Sequence, residues 1–437
     1  MYILIVLNFS PEKKMDAAQL SRLLEQATIA RTGQANETAV SLYSALINQT
    51  EGQAHDPQVR ELRLEALREN GRLQRLLGHQ EAALACFQRA YLDAGSGEQA
   101  VDTLALLANQ HNSMGNYDEA MRACREALQL TEALNYSAGR AAAFQVLGRT
   151  YAQRGRPEEA VSNLQKALAL FEQIGNRVEI SRTYNWIGIG QMEQWHIDKA
   201  IEAFHHGLEE SAISDVLRSA ILNNLGECYQ YLFDFEQALA HHRAGLSLIQ
   251  KLNFTSPQDD LLRNLGVDLY HTGQVEEGIG YLYEALHLSE ANGNQDVRLQ
   301  VLDSLVYAEL ERDRPDVAMQ YAQTLRTEAE KIKARQFEAR AFYGLGLVYQ
   351  RLGEAVAAEQ VWQQALFLAH ETHQQNLIWQ LHAGLAQIVG IAPLAETHNR
   401  IAAEVIDQIV YPIEDVQLRQ KFLAAPIVRA VLDAQPQ

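Results

Sequence analysis

The residues best suited to chemistry in this sequence are two histidine doublets, His205-His206 and His241-His242, three cysteines, and a large excess of carboxylates. Metal ligands on a helix need spacings of three or four, whereas adjacent residues point to different sides. The doublets therefore read as helix residues and not as half of a metal site. Cys86, Cys124 and Cys228 stand far apart with no CxxC pair, which argues against a zinc site or a disulfide framework and leaves three small helix residues. The carboxylates recur at helical spacing, with no defensible pair for general acid and base roles. No phosphate loop, GxSxG elbow, HExxH helix or kinase signature occurs. The expectation is a protein that is not an enzyme and holds neither metal nor cofactor.

Binding chemistry remains. Arg60, Arg63, Arg68, Arg72 and Arg75 make the one conspicuously basic patch in an acidic chain. Guanidinium groups at near-helical spacing can receive a carboxylate through paired N–H donors. The same arginines can equally be an exposed helix face paired with Glu61, Glu65 and Glu69, and both readings stay open. The formal net charge is −18, from 55 acidic and 37 basic residues, so nucleic acid is not an expected partner: phosphate binding needs clustered positive charge. The opening MYILIVLNFS has no basic leader and no small-residue cleavage site, and is too short to span a bilayer. No membrane association is expected, and the protein is read as cytoplasmic. A polar stretch from Pro11 to Lys14 precedes the helical pattern, so residues 1–14 are expected to be a disordered or extended N-terminal extension, with Met15 an alternative start.

The elements that position these residues show themselves as a repeat. Apolar residues make up 47% of the chain with nine prolines, a composition that folds and favours helices. A segment of the form G-x-x-Y-x-x-x-G-x-x-x-x-A-(x6)-A recurs, most clearly as Gly148, Tyr151, Gly155, Ala160 and Ala167 in LGRTYAQRGRPEEAVSNLQKALAL. The small residue opening the second helix gives eight markers: Ala83, Ala120, Ala160, Ala200, Ala238, Gly278, Ala318 and Ala358, spaced 37 to 40 residues apart. Twelve residues before them stand Gly71, Ala108, Gly148, Gly188, Gly226, Gly266 and Gly346, where two antiparallel helices would cross closely. Gly78, Gly115, Gly155, Gly273 and Gly353 supply a permissive residue where each first helix ends. Trp195 and Phe233 replace that glycine in repeats four and five, and repeat seven departs from the pattern at Val306, Glu309 and Asp313.

This constellation resembles the tetratricopeptide repeat signature over roughly residues 60 to 370, with spacing lengthened from the usual figure of about 34. The longer repeats are similar to those of Pins-type adaptors, named for Leu-Gly-Asn triplets, and of bacterial peptide-sensing regulators. Here the triplet survives as Leu-Gly in LGR, LGE, LGV and LGL, with Asn replaced each time. The resemblance implies an all-α fold, a right-handed superhelical solenoid of stacked antiparallel helix pairs. Eight hairpins are expected over 57–372, a capping pair or degenerate repeat over 15–56, a degenerate repeat over 373–410, and a capping helix and tail over 411–437. The end of that tail, LRQKFLAAPIVRAVL, resembles segments that follow ATPase or cyclase modules in bacterial signalling proteins.

Repeats of this family place the first helix of each pair on the concave side. Counting eighteen, fifteen, eleven and eight residues back from each marker then selects the groove. In repeat one this gives Glu65, Arg68, Arg72 and Arg75. Repeats two to five give Asn109, Asn112, Gln145, Arg149, Arg182, Asn185, Asn223, Glu227 and Gln230. A carboxamide can bond the main chain of an extended peptide, as the resemblance implies for these asparagines, or simply face water. Repeats six to eight give Arg263, Tyr270, Asp303, Tyr307, Arg340, Tyr343, Leu347 and Gln350, where tyrosines serve either as binding anchors or as core. The implied function is an interaction module that holds a peptide or partner segment as scaffold or adaptor. The alternative is a peptide-responsive regulator acting on a partner through a change of superhelix shape. Homo-oligomerisation is compatible with both.

Overall fold

The structure, a computed structural model, describes residues 15–53, 55–209, 214–252 and 258–434; the expected extension over residues 1–14 lies outside them. Among the described residues the regular structure is α-helical throughout. A first pair, α1 (Ala17–Thr32) and α2 (Asn36–Gln49), precedes eight further pairs. These are α3 (Pro57–Leu76) with α4 (Gln80–Ala94), α5 (Glu98–Ser113) with α6 (Tyr117–Leu134), α7 (Ser137–Gln153) with α8 (Pro157–Ile174), and α9 (Arg177–Glu193) with α10 (Ile197–Glu209). Then come α11 (Asp215–Tyr231) with α12 (Phe235–Leu252), α13 (Gln258–His271) with α14 (Val275–Asn292), α15 (Gln295–Glu311) with α16 (Pro315–Ile332), and α17 (Arg335–Arg351) with α18 (Ala355–Glu371). A last pair, α19 (Gln375–Ile388) and α20 (Ala392–Val410), is followed by α21 (Val416–Ala424) and α22 (Pro426–Asp433). The chain is an all-α helical repeat solenoid, divided into two compact units at Glu179 and Ile180, within α9.

One size rule closes each hairpin. A side chain added to Gly71, Gly148, Gly188, Gly226, Gly266 or Gly346 would strike Phe87, Leu164, Phe204, His242, Leu282 or Trp362 respectively, in each case the residue sixteen positions on. The glycine thus makes room for one large side chain from the second helix, four residues past the fully buried marker. Where the glycine is missing, the partner shrinks. Ala108 is matched by Cys124 and Val306 by Ala322, all four fully buried. The volume is conserved while its owner changes helix.

The turn inside each hairpin needs a residue with positive φ five positions before the marker. Gly78, Gly115, Gly155, Gly273 and Gly353 supply it, and Trp195, Phe233 and Asp313 adopt it as well, at φ of 60°, 59° and 57°. A side chain in this region costs on the order of 1 kcal/mol, so something must hold it there. The Trp195 ring stands edge-on to Tyr231 at 5.3 Å, and the Phe233 ring packs on Phe235 and Phe422.

The second unit returns on itself. Phe422 of α21, fully buried, lies 5.5 Å from Phe233, which follows α11. Asp198 of α10 accepts from the backbone N–H groups of Glu414 at 2.7 Å and Asp415 at 3.0 Å. Lys199 pairs with Glu414 at 2.7 Å, and Lys421 donates to Asp234. A segment at the end of the unit therefore caps helices at its beginning, with four hairpins between.

Candidate functional site

The expected groove residues on the first helices are largely engaged with one another, and the pattern of engagement is periodic. Asn224 Nδ2 donates to Asn185 Oδ1 at 2.9 Å, and Asn264 Nδ2 donates to Asn223 Oδ1 at 2.9 Å. In both rungs a residue fourteen before its marker reaches one fifteen before the preceding marker. A second rail joins position eight to position ten of the next repeat, with Asn112 to Thr150 at 2.8 Å and Gln230 to Asp268 at 2.6 Å. Arg149 donates to Asn109 at 2.9 Å, and Gln145 donates to Glu179 at 3.1 Å. Asn112, Gln145, Asn185 and Asn223 are buried, so these groups bridge neighbouring first helices inside their own unit. Arg182 lies half-buried on α9, one turn before Asn185.

The arginine patch divides in the same way. Arg63 is buried, holding Asp93 at 2.7 Å and the Ile47 carbonyl oxygen at 2.7 Å. Arg68 donates to Thr103 at 2.7 and 2.9 Å and to the Gln99 carbonyl oxygen, joining α3 to α5. Arg72 is exposed and pairs with Glu69, which also holds Arg31 at 2.7 Å. Arg75 is half-buried, with no hydrogen bond or ion pair among the described residues; burial, with Arg72 close by, lowers its pKa.

His242, of the second histidine doublet, is a core residue. It is fully buried between α11 and α13, with Nδ1 2.5 Å from Asp268 and Nε2 3.1 Å from the Asn223 carbonyl oxygen. A carbonyl oxygen only accepts, so Nε2 carries a hydrogen and one further proton is shared between Nδ1 and Asp268. Burial raises the Asp268 carboxyl above its ordinary pKa. Among the described residues no group of three or more His, Cys, Asp or Glu is arranged to hold a metal ion, and no helix is long and apolar enough to cross a membrane.

An accessible polar and aromatic surface lies on α11, α13, α15 and α17 of the second unit. Tyr231 is 38% exposed, and the Arg340 side chain keeps 47% of its surface. Tyr231 feels the charges of Arg340 and Arg263, from helices six and two places further along the chain. Arg263 is 3.1 Å from Asp260 and 3.7 Å from Glu227. Arg340 donates to Asp303 at 2.9 Å. Tyr307 is half-buried, 6.4 Å between ring centres from Tyr343, which is buried like Tyr270. Burial raises the phenol pKa of all three, and the Asp303 carboxylate adds to it. At neutral pH these are neutral hydrogen-bonding rings. Among the described residues Arg340 hydrogen-bonds Asp303 through Nη1 alone, which leaves other donors of the guanidinium for a ligand.

Counting back from the markers therefore reaches this surface, while several of its members went unnamed. Asp260 stands eighteen before Gly278 and satisfies the count; Asn224 and Asn264 show themselves only as amides one repeat apart. Tyr231, at the last turn of α11, carries no signal beyond being aromatic.

Residues 99–173 match the tetratricopeptide repeat family model. No curated protein sequence matches the chain. The apo form of the quorum sensor NprR from B. thuringiensis is similar over 80% of this chain and 99% of its own, at a TM-score of 0.58 and 11% identity. A signal transduction ATPase with numerous domains and a tetratricopeptide repeat sensor, from Pyrococcus horikoshii, is similar over 83% of this chain and 57% of its own, at 0.54 and 17%. A Rap protein complexed with competence and sporulation factor is similar over 89% of this chain and all of its own, at 0.50 and 12%. At these identities the likeness is one of fold.

Proposed function

Starting from a chain built of tetratricopeptide repeats, we propose that it is a protein-interaction module that binds a peptide or an extended partner segment on the first-helix face of its second unit. The observation that carries this reading is the accessible, polar and aromatic surface of Tyr231, Arg263, Tyr307 and Arg340, contributed by four successive first helices. Rigid phenol rings and unspent guanidinium donors are what a peptide backbone and its side chains can use. The bonded amides of the rails support the reading indirectly, because a wall stitched from repeat to repeat is already organised before a ligand arrives.

A second reading is favoured by the return of α21 onto α10 and α12. A unit whose end caps its own beginning has a joint that can open, and a ligand that binds one state better shifts the equilibrium between them. In that case the protein is a ligand-responsive regulator of a partner, a role in keeping with similarity to a protein described as a quorum sensor.

Fluorescence anisotropy against an array of labelled peptides tests the first reading. Saturable binding that weakens tenfold or more in Tyr231→Ala/Tyr307→Ala is expected; binding unchanged by the pair moves the site elsewhere, and no saturable ligand removes the reading. Small-angle scattering of the saturated complex separates the second reading from a passive scaffold, since only a switch changes dimensions.

A further inference from the structure

The charges on this surface do not balance. Around Arg263 and Arg340 stand Glu227, Asp260, Asp296 and Asp303, four carboxylates to two guanidinium groups, contributed by α11, α13 and α15. Among the described residues of this unit, the buried side-chain atoms left without a partner are both acceptors. Asp303 is only 5% exposed, and its Oδ2 takes the bond from Arg340 while its Oδ1 has no partner. Asn264 is fully buried and donates both to Asn223 and, at 3.2 Å, to Glu227, and its Oδ1 also lacks a partner. An orphaned buried acceptor costs on the order of 1–3 kcal/mol; Asn264 is sealed from a ligand, whereas Asp303 keeps a little surface for a donor to approach. Phenol rings border these charges, with Tyr307 one helical turn from Asp303 on α15 and Tyr231 in the field of Arg340, and π faces attract cations.

We infer that this surface receives a cationic side chain of the bound segment, a guanidinium or an ammonium, seated against Asp303 with Glu227, Asp260 and Asp296 around it. The inference rests on the peptide-binding reading above and adds the chemical class of the anchor residue. Burial holds Asp303, Glu227 and Asp296 above the usual carboxylate range, and the neighbouring Asp260 pushes the last two further in the same direction. Arg340 and Arg263 oppose this shift without cancelling it, and a further cation would stabilise the ionised carboxylates. A carboxylate ligand is the opposite case. It could use the free donors of Arg340, but it would enter a region with two negative charges in excess.

The test is a set of dye-labelled peptides identical except at one position, which carries Arg, Lys, citrulline or Glu, titrated against the full chain at low and moderate salt. Citrulline keeps the shape of arginine and part of its N–H donors, but replaces one nitrogen with a carbonyl oxygen and carries no charge. Arg and Lys peptides are expected to bind at least tenfold more tightly than the citrulline peptide, with a preference that shrinks as salt rises. Asp303→Asn should reduce the preference most. The exposed Asp296→Asn should reduce it partly and keeps the test usable if the buried substitution fails to fold. Equal binding of the Arg and citrulline peptides, or a preference for Glu, overturns the inference and leaves the peptide-binding reading standing. Absence of binding by every peptide overturns both.

Discussion

A Cβ added to Gly346 would lie 2.0 Å from Nε1 of Trp362, the same nitrogen that donates to the Tyr343 carbonyl oxygen at 3.0 Å. Glycine and tryptophan here are two halves of one packing unit, and Tyr343, whose main chain holds the indole, is a buried ring 6.4 Å from Tyr307 of the candidate surface. The hairpin core therefore reaches the candidate surface through Tyr343 in this repeat.

Gly346→Ala should destabilise the protein by about 1–3 kcal/mol through overpacking, outweighing the gain of about 1 kcal/mol that alanine brings to a helix. Trp362→Ala should cost about 3–5 kcal/mol. The double variant Gly346→Val/Trp362→Ala copies the natural pairing of Val306 with Ala322 and should recover part of that loss. Urea unfolding checks this, and additive losses in the double variant would refute the volume exchange.

Asn264→Ala removes the donor shared by Asn223 and Glu227 between α11 and α13. A loss of about 1–3 kcal/mol is expected, with faster amide exchange in those two helices before any change in α17. Uniform exchange across the unit would mean that the rail does not hold the repeats in register.

Acid should loosen the last pair of helices. His382 is buried, and its Nδ1 meets Nδ1 of His398 at 2.8 Å, so one ring must donate and the other accept. Burial first, then the charges of His398 and His370, lower the His382 pKa from 6.5 to about 4; Glu359 is the acidic group facing His398. As pH falls the unfolded chain takes up the proton first, so stability is full above about 6.5 and is lost on the way to about 4, on the order of 2–3 kcal/mol. Thermal melts from pH 7 to 4 should show this loss, and His382→Gln should flatten it. An equal slope in the variant would assign the loss to other groups.

Phe422→Ala should release α21 from Phe233 and raise exchange in α10 to α12, at a cost of about 3–5 kcal/mol. Phe233→Gly separates the two roles of that residue, since it removes the left-handed strain of about 1 kcal/mol together with the ring that Phe422 covers. A net loss of stability is expected. A gain would show that the closure contributes less than the strain.

The hairpins were legible because sterics act locally. A close helix crossing favours small residues at positions 148 and 160, so Gly148 and Ala160 recur one repeat on as Gly188 and Ala200. The same periodicity marked the turn residues, even where Trp195 or Phe233 occupied them, since the turn length fixes a positive φ there. What periodicity could not state was the partner of a polar side chain. Asn185 and Asn223 stand at the expected positions, yet each is bonded to an asparagine about forty residues away, a pairing that exists only once repeats are stacked at one particular rotation. The large residue opposite each glycine was hidden for a related reason, because Phe87, Leu164, His242 and Trp362 share a place in the hairpin and no chemical type. The bond from Asp198 to the backbone of Glu414 depends on curvature summed over several repeats, to which each junction adds a small rotation that no local pattern records. The sequence by itself determined the units and their order. Only the tertiary structure decided which polar groups they spend on one another and which remain for a partner, because that division follows from how neighbouring helices are rotated and from nothing within either one.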